Sequence, residues 1–73
     1  MIFFNSKFFK TKEEAVAFKK KIKSGTIASN VKGSHTKRDY FGKLALLGRY
    51  DDEEFISEYP YVVSWTTVTK GGH

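Results

Sequence analysis

The residues of this chain whose spacing first suggests chemistry are its lysines. At about 100° per residue, Lys12, Lys19 and Lys23 fall on one flank of a helix, with Lys20 close by. No glutamate stands four residues before Lys19, Lys20, Lys21 or Lys23, so the usual helical Glu–Lys pairs are missing. Lys32, Lys37, Arg38 and Lys43 extend the patch from the loop between the second and third candidate strands. Such a cluster suits a phosphate backbone, which rewards each cation with released counterions. Lysines near a helix C-terminus also suit its dipole and keep a small domain soluble. The charge is divided along the chain. Residues 1–50 carry 12 Lys/Arg and three acids, whereas residues 51–73 carry five acids and Lys70, and the sum is +5.

Aromatic side chains stand near those cations. Phe8, Phe9, Tyr40, Tyr61 and Trp65 are candidates for a platform on which bases stack, if one sheet face is open. The competing role is core filling, expected of Phe3 or Phe4, Phe18, Phe41 and Trp65. Residues 38–45, RDYFGKLA, do not follow the second RRM motif.

The turn Gly33-Ser34-His35 is a further candidate. A helix, a glycine, a strand and then KGSH, over about residues 15–38, resembles HicA-type toxins. These are small ribonucleases with a histidine in a Gly-Ser-His segment. The resemblance implies His35 as general acid/base, with nearby lysines on the RNA backbone. The chain lacks that family's later strand-Pro-His pattern and opens with an extra apolar strand. A lone loop histidine is more often a polar turn residue, so no catalytic residue is assigned.

Asp51, Asp52, Glu53 and Glu54 are adjacent carboxylates without the spacing of a calcium loop. They read as acids at a helix N-terminus, or, with Tyr61 and Trp65, as a surface for a protein partner. With no cysteine and two histidines, a thiolate or multi-histidine metal site is excluded. There is no glycine-rich phosphate loop, no nucleophilic triad and no expected cofactor.

The elements that must position these groups follow from periodicity. Residues 2–9 alternate as a strand, with a break at Asn5-Ser6 allowed. Thr11 to Glu14 forms a capping box, and Ala15, Phe18 and Ile22 then mark the inner face of a helix over 12–24. Ser24-Gly25 ends it. Thr26–Val31 reads as a strand and Lys32–His35 as a turn. Residues 39–49 are ambiguous: leucine and alanine favour a helix, while Gly42, Gly48 and the aromatic start tip the reading to a strand. Asp51–Glu58 suits a short helix ended by Pro60, and Tyr61–Thr69 has the strongest strand composition.

The order β-α-β-β-(α)-β predicts an α+β domain over residues 1–70, with 71–73 as a tail. One small sheet with helices on one face, in a ferredoxin-like split βαβ arrangement, fits it. No apolar run is long enough for a membrane span, and Met1–Phe4, interrupted at Asn5-Ser6-Lys7, reads as the strand of a cytoplasmic protein and not as a secretory signal. The leading expectation is a non-enzymatic nucleic-acid-binding protein. Close behind is a phage or mobile-element accessory protein that docks on a host protein, and a ribonuclease stands third. A homodimer is expected if a sheet edge or aromatic face lies open.

Overall fold

The computed structural model describes residues 1–22 and 24–69; Lys23 and the expected Gly71-Gly72-His73 tail lie outside the described residues. The elements are β1 (Ile2–Phe9), α1 (Lys12–Ile22), β2 (Thr26–Ser29), α2 (Lys37–Leu46), α3 (Glu53–Glu58) and β3 (Tyr61–Val68). The class is α+β. The sheet has the order β1-β3-β2, and both pairings are antiparallel. β1 and β2 are therefore parallel, with β3 between them and α1 crossing from one edge to the other. That is the split βαβ unit.

Helices cover both faces of the sheet, not one. α1 lies on the face of Phe9, Val63 and Trp65, where the Phe18 ring sits 5.3 Å from Phe9 and 5.1 Å from Trp65. α2 and α3 lie on the other face. There Tyr40 and Leu44 pack on Ala28 and Val62, and the Phe8 ring meets Tyr40 at 5.6 Å and Phe55 at 5.3 Å. The cause lies in β3: Val62 and Val63 point to opposite faces and both are fully buried.

Residues 37–46 form a helix, which corrects the strand expected over 39–49. Tyr40 and Leu44, one helical turn apart, are the residues that α2 buries. A strand would have faced Leu46 inward with them, yet Leu46 is 79% exposed. Gly48 ends the helix with φ 72°. Its amide donates to the Ala45 carbonyl at 3.0 Å and that of Arg49 to the Leu44 carbonyl at 3.3 Å. This is a Schellman motif, so a glycine read as strand-like is a helix stop.

The other elements follow the local rules. The Glu14 amide donates to the Thr11 hydroxyl at 3.2 Å, the first half of the capping box. The Phe55 amide donates to the Asp52 carboxylate at 3.0 Å, which makes Asp52 the N-cap of α3. β1 runs unbroken through Asn5-Ser6. β2 stops at Ser29, and Val31 beyond it is exposed. Phe3 and Phe4, of which one is expected in the core, are both exposed, at 47% and 79%. They lie where the long β1–β3 ribbon outruns β2. Among the described residues, no helix is long and apolar enough to cross a membrane.

Two glycines yield opposite expectations. Gly25 has φ 121°, and a Cβ there would stand 2.7 Å from the Ser64 carbonyl oxygen. Gly25→Ala is expected to cost about 2 kcal/mol or more in a urea titration. Gly42 lies inside α2, and a Cβ there meets nothing within 4 Å. Gly42→Ala is expected to stabilise by about 0.5–1 kcal/mol in the same titration.

Candidate nucleic-acid interface

The cations occupy two helices on opposite faces of the sheet. Lys12, Lys19 and Lys20 are exposed on α1; Lys37 and Arg38 are exposed and Lys43 half-buried on α2, while Lys32 is exposed in the preceding turn. These two sets still border one edge. Going round α1 from Phe18, which meets Phe9 in β1, Ile22 comes next. Ile22 approaches Gly25 at the head of β2. Lys19, Lys12 and Val16 follow, so this flank is turned toward the β2 side of the molecule. On the other face, α2 packs along β2. The β2 edge thus has α1 cations on one side and α2 cations on the other. Lys23 lies outside the described residues.

Ion pairing leaves this set untouched. Among the described residues, the salt bridges are Lys10–Glu58 at 3.3 Å and Arg49–Asp52 at 4.0 Å. The hydrogen bond from Lys10 to Glu58, with smaller contributions from Tyr59 and the Glu58 charge, raises the Lys10 pKa. Both pairs involve α3 or its cap. Four of the acids read from sequence, Asp51 to Glu54, lie at the start of α3, whose Phe55 packs on Phe8 of β1. The division of charge along the chain is therefore only partly a division in space: the four acids stand at the start of α3, but Lys7 in β1, Lys10 beside Glu58 and Arg49 beside Asp52 keep bases on that side as well. Two acids break the pattern: Asp39 stands between Arg38 and Lys43, and Glu13 lies beside Lys12 and Lys20.

An open groove of about 750 Å³ runs between α2 and the sheet. Arg38, Lys43 and Gly42 line its helical wall, and Thr26, Ser64 and Thr66 are on its sheet side. Thr26 is directly opposite Ser64 in the ladder, so small hydroxyl residues sit side by side below two cations. Hydroxyls and cations together suit phosphate oxygens. The sequence reading missed this groove because it depends on residues 37–46 being helical.

The aromatic platform is not assembled. Tyr40 is fully buried, and its hydroxyl donates to the Tyr59 carbonyl at 2.7 Å, which removes it from the binding set. Burial raises its pKa. Phe8 is covered by α3, and Tyr61 and Trp65 are half-buried on the α1 face. His35 is exposed, and among the described residues nothing is hydrogen-bonded to its ring. Its neighbours have structural work: the Ser34 and Thr36 hydroxyls lie 2.7 Å apart, and Thr36 accepts the Ser29 amide at 3.0 Å. Asp52 is likewise a cap, while Asp51, Glu53 and Glu54 remain exposed. No cluster of three His, Cys, Asp or Glu fit to hold a metal exists among the described residues.

No protein-family model, curated protein or solved structure matches the chain.

Tyr40 generates a pH prediction. Its folded pKa lies above the unfolded value, so its contribution is complete below about pH 10 and is lost as pH rises through the folded pKa. Tyr40→Phe is expected to lose about 1 kcal/mol at pH 7, through the bond to Tyr59, and to flatten the alkaline fall in stability. Urea titrations at pH 7 and above pH 10 measure both; an unchanged alkaline slope contradicts the assignment.

Proposed function

We propose that this protein is a small nucleic-acid-binding module that holds a phosphate backbone along its β2 edge. One observation carries the reading: cations without ion-pair partners among the described residues border β2 from both faces, while the four consecutive acids Asp51 to Glu54 stand together at the start of α3. Lys12, Lys19 and Lys20 engage phosphates from the α1 side. Arg38 and Lys43 do so from the groove, where Thr26, Ser64 and Thr66 offer hydroxyls. Each neutralised phosphate releases counterions, and binding is correspondingly sensitive to salt. The cations and hydroxyls reach backbone and not base edges, so affinity rather than sequence preference is the expected output. No step of bond making or breaking is assigned.

The docking reading draws on a different observation, the apolar end of the β1–β3 ribbon at Ile2, Phe4 and Val68. It does not draw on the acidic segment, where Asp52 serves α3.

Fluorescence anisotropy with labelled single-stranded RNA and duplex DNA, titrated with salt, tests the proposal. Binding in the range of about 10⁻⁴–10⁻⁶ M at physiological salt is expected, falling linearly on log–log axes. The set Lys12→Ala, Lys19→Ala, Lys20→Ala and the pair Arg38→Ala, Lys43→Ala should each lower the slope, by roughly 0.7–0.9 for every phosphate that is no longer neutralised. Absence of binding at about 100 mM salt overturns the proposal. A slope lowered by one set alone overturns the two-sided edge.

A further inference from the structure

The free edge of β1 carries a pattern unlike anything else in the chain. Read outward from Ser6, residues 3–9 are Phe-Phe-Asn-Ser-Lys-Phe-Phe: the aromatic pairs are mirrored about Ser6. A strand whose sequence is symmetric about one residue is complementary to itself when two copies run antiparallel. β1 is an edge strand of eight residues with a single charge, Lys7. Edges of that length and polarity are usually shortened, charged or covered.

The hydrogen-bond phase of the edge agrees with the pattern. The Met1 nitrogen donates to the Thr69 carbonyl at 2.9 Å, and the Thr69 amide donates to the Met1 carbonyl at 2.9 Å. Met1 and Thr69 are thus a hydrogen-bonded pair, and the antiparallel alternation carries this phase along the ladder. Phe3, Asn5, Lys7 and Phe9 face β3 with their backbone groups. Ile2, Phe4, Ser6 and Phe8 direct theirs outward, away from β3. The residue at the centre of symmetry therefore presents both N–H and C=O at the open edge.

We infer that β1 pairs with β1 of a second copy of this chain, antiparallel, about a two-fold axis through Ser6. The axis is perpendicular to the sheet, so faces are kept and a six-stranded sheet results. Ser6 pairs with Ser6, Phe4 with Phe8 of the second copy, and Phe3 with Phe9. Four aromatic cross-strand pairs form, the kind of interaction that stabilises a sheet. They bring cover to Phe3 and Phe4, which are 47% and 79% exposed in the single chain. Lys7 falls opposite Asn5, not opposite Lys7. The register centred on Asn5 sets Phe3 against Lys7 and Phe4 against Ser6, and the one centred on Lys7 opposes two like charges. The pattern selects Ser6. The pairing uses the edge opposite β2, and of its residues Phe4 and Asn5 also line the groove beneath α2, so Ser6→Pro, which lies outside that groove, is the variant that separates this inference from the nucleic-acid reading.

Sedimentation equilibrium of the full chain is the test. A reversible dimer is expected at high micromolar concentration. It tightens with added salt, because the axis brings the two α3 segments to one face and the two Lys7 to the other, and salt screens both repulsions. Ser6→Pro removes an N–H that β3 does not use, so the monomer fold tolerates it while the dimer dissociation constant rises about tenfold or more. Phe4→Lys, at an exposed position, does the same without touching the backbone. The chain has no cysteine, so single-cysteine variants report the register. In the Ser6 register the Ser6 Cα atoms are about 5.5 Å apart, within disulfide reach, and the Asn5 Cα atoms about 8 Å apart, beyond it. Ser6→Cys should then crosslink under mild oxidation much faster than Asn5→Cys. A monomer at every salt concentration overturns the inference, as does a dimer that both Ser6→Pro and Phe4→Lys leave unchanged. Faster crosslinking of Asn5→Cys overturns the register.

Discussion

Val62 and Val63 are adjacent in β3 and both are excluded from solvent, so opposite faces of one strand must be covered at once. The rest of the architecture answers that requirement. β3 is the central strand, and among the described residues it is the strand that both β1 and β2 pair with. Neither edge strand forms a ladder until residues 61–68 are in place, so no local hairpin precedes the assembled sheet. Pairings of such long sequence separation delay folding, since loop closure comes before the interactions that reward it. The same centrality explains the severity expected at Gly25. β2 enters the sheet there against the Ser64 carbonyl, and no side chain fits between them.

Covering two faces with 73 residues leaves little to bury. Among the described residues the buried apolar ones are Ala15, Ala28, Tyr40, Leu44, Val62 and Val63, and Tyr40 is the one aromatic of that set. Half-buried rings supply the rest, in edge-to-face arrangements such as Phe8–Tyr40 and Tyr40–Phe41. Both ion pairs are exposed and contribute little. Stability therefore rests on aromatic packing around β3. The end of the ribbon beyond β2 is thinly covered by its own chain, with Ile2, Phe4 and Val68 more than half exposed.

Much of this is legible in the residues and some is not. α1 is readable because Thr11, Glu14, Ala15, Phe18 and Ile22 each agree with a helix at that place. β3 is readable because β-branched and aromatic residues crowd it. α2 is not, because Tyr40 and Leu44 satisfy a period of two as well as a period near four. Gly48 carries the deciding information, and its sign depends on context: it weakens a strand but stops a helix. The consequence reaches the site. In a strand over 39–49, Tyr40 belongs to an exposed platform; in the helix, it is the buried pivot of the core. The charge division is legible at once, since it needs only the order of residues. The placement of the lysines on both sides of β2 is not, because strand order and helix docking are long-range properties.

The two open edges differ in the one property that decides what each can meet. β2 is bordered by cations from both faces, and two such edges repel. β1 has one charge in eight residues, which lets a chain of net charge +5 approach its own copy along that side. Pairing through β1 gives the strand order β2-β3-β1-β1-β3-β2, with the basic edges outermost. Five strand spacings separate them, about 24 Å. Each basic edge then keeps its full exposure, and the two are held at a fixed distance. A long polyanion that engages one edge meets the other at a raised effective concentration, so self-association multiplies affinity without any new interaction with the ligand. The symmetry of β1 thus suits one geometry, in which the strand that joins copies carries a single charge, Lys7, set opposite Asn5 and not opposite its own copy.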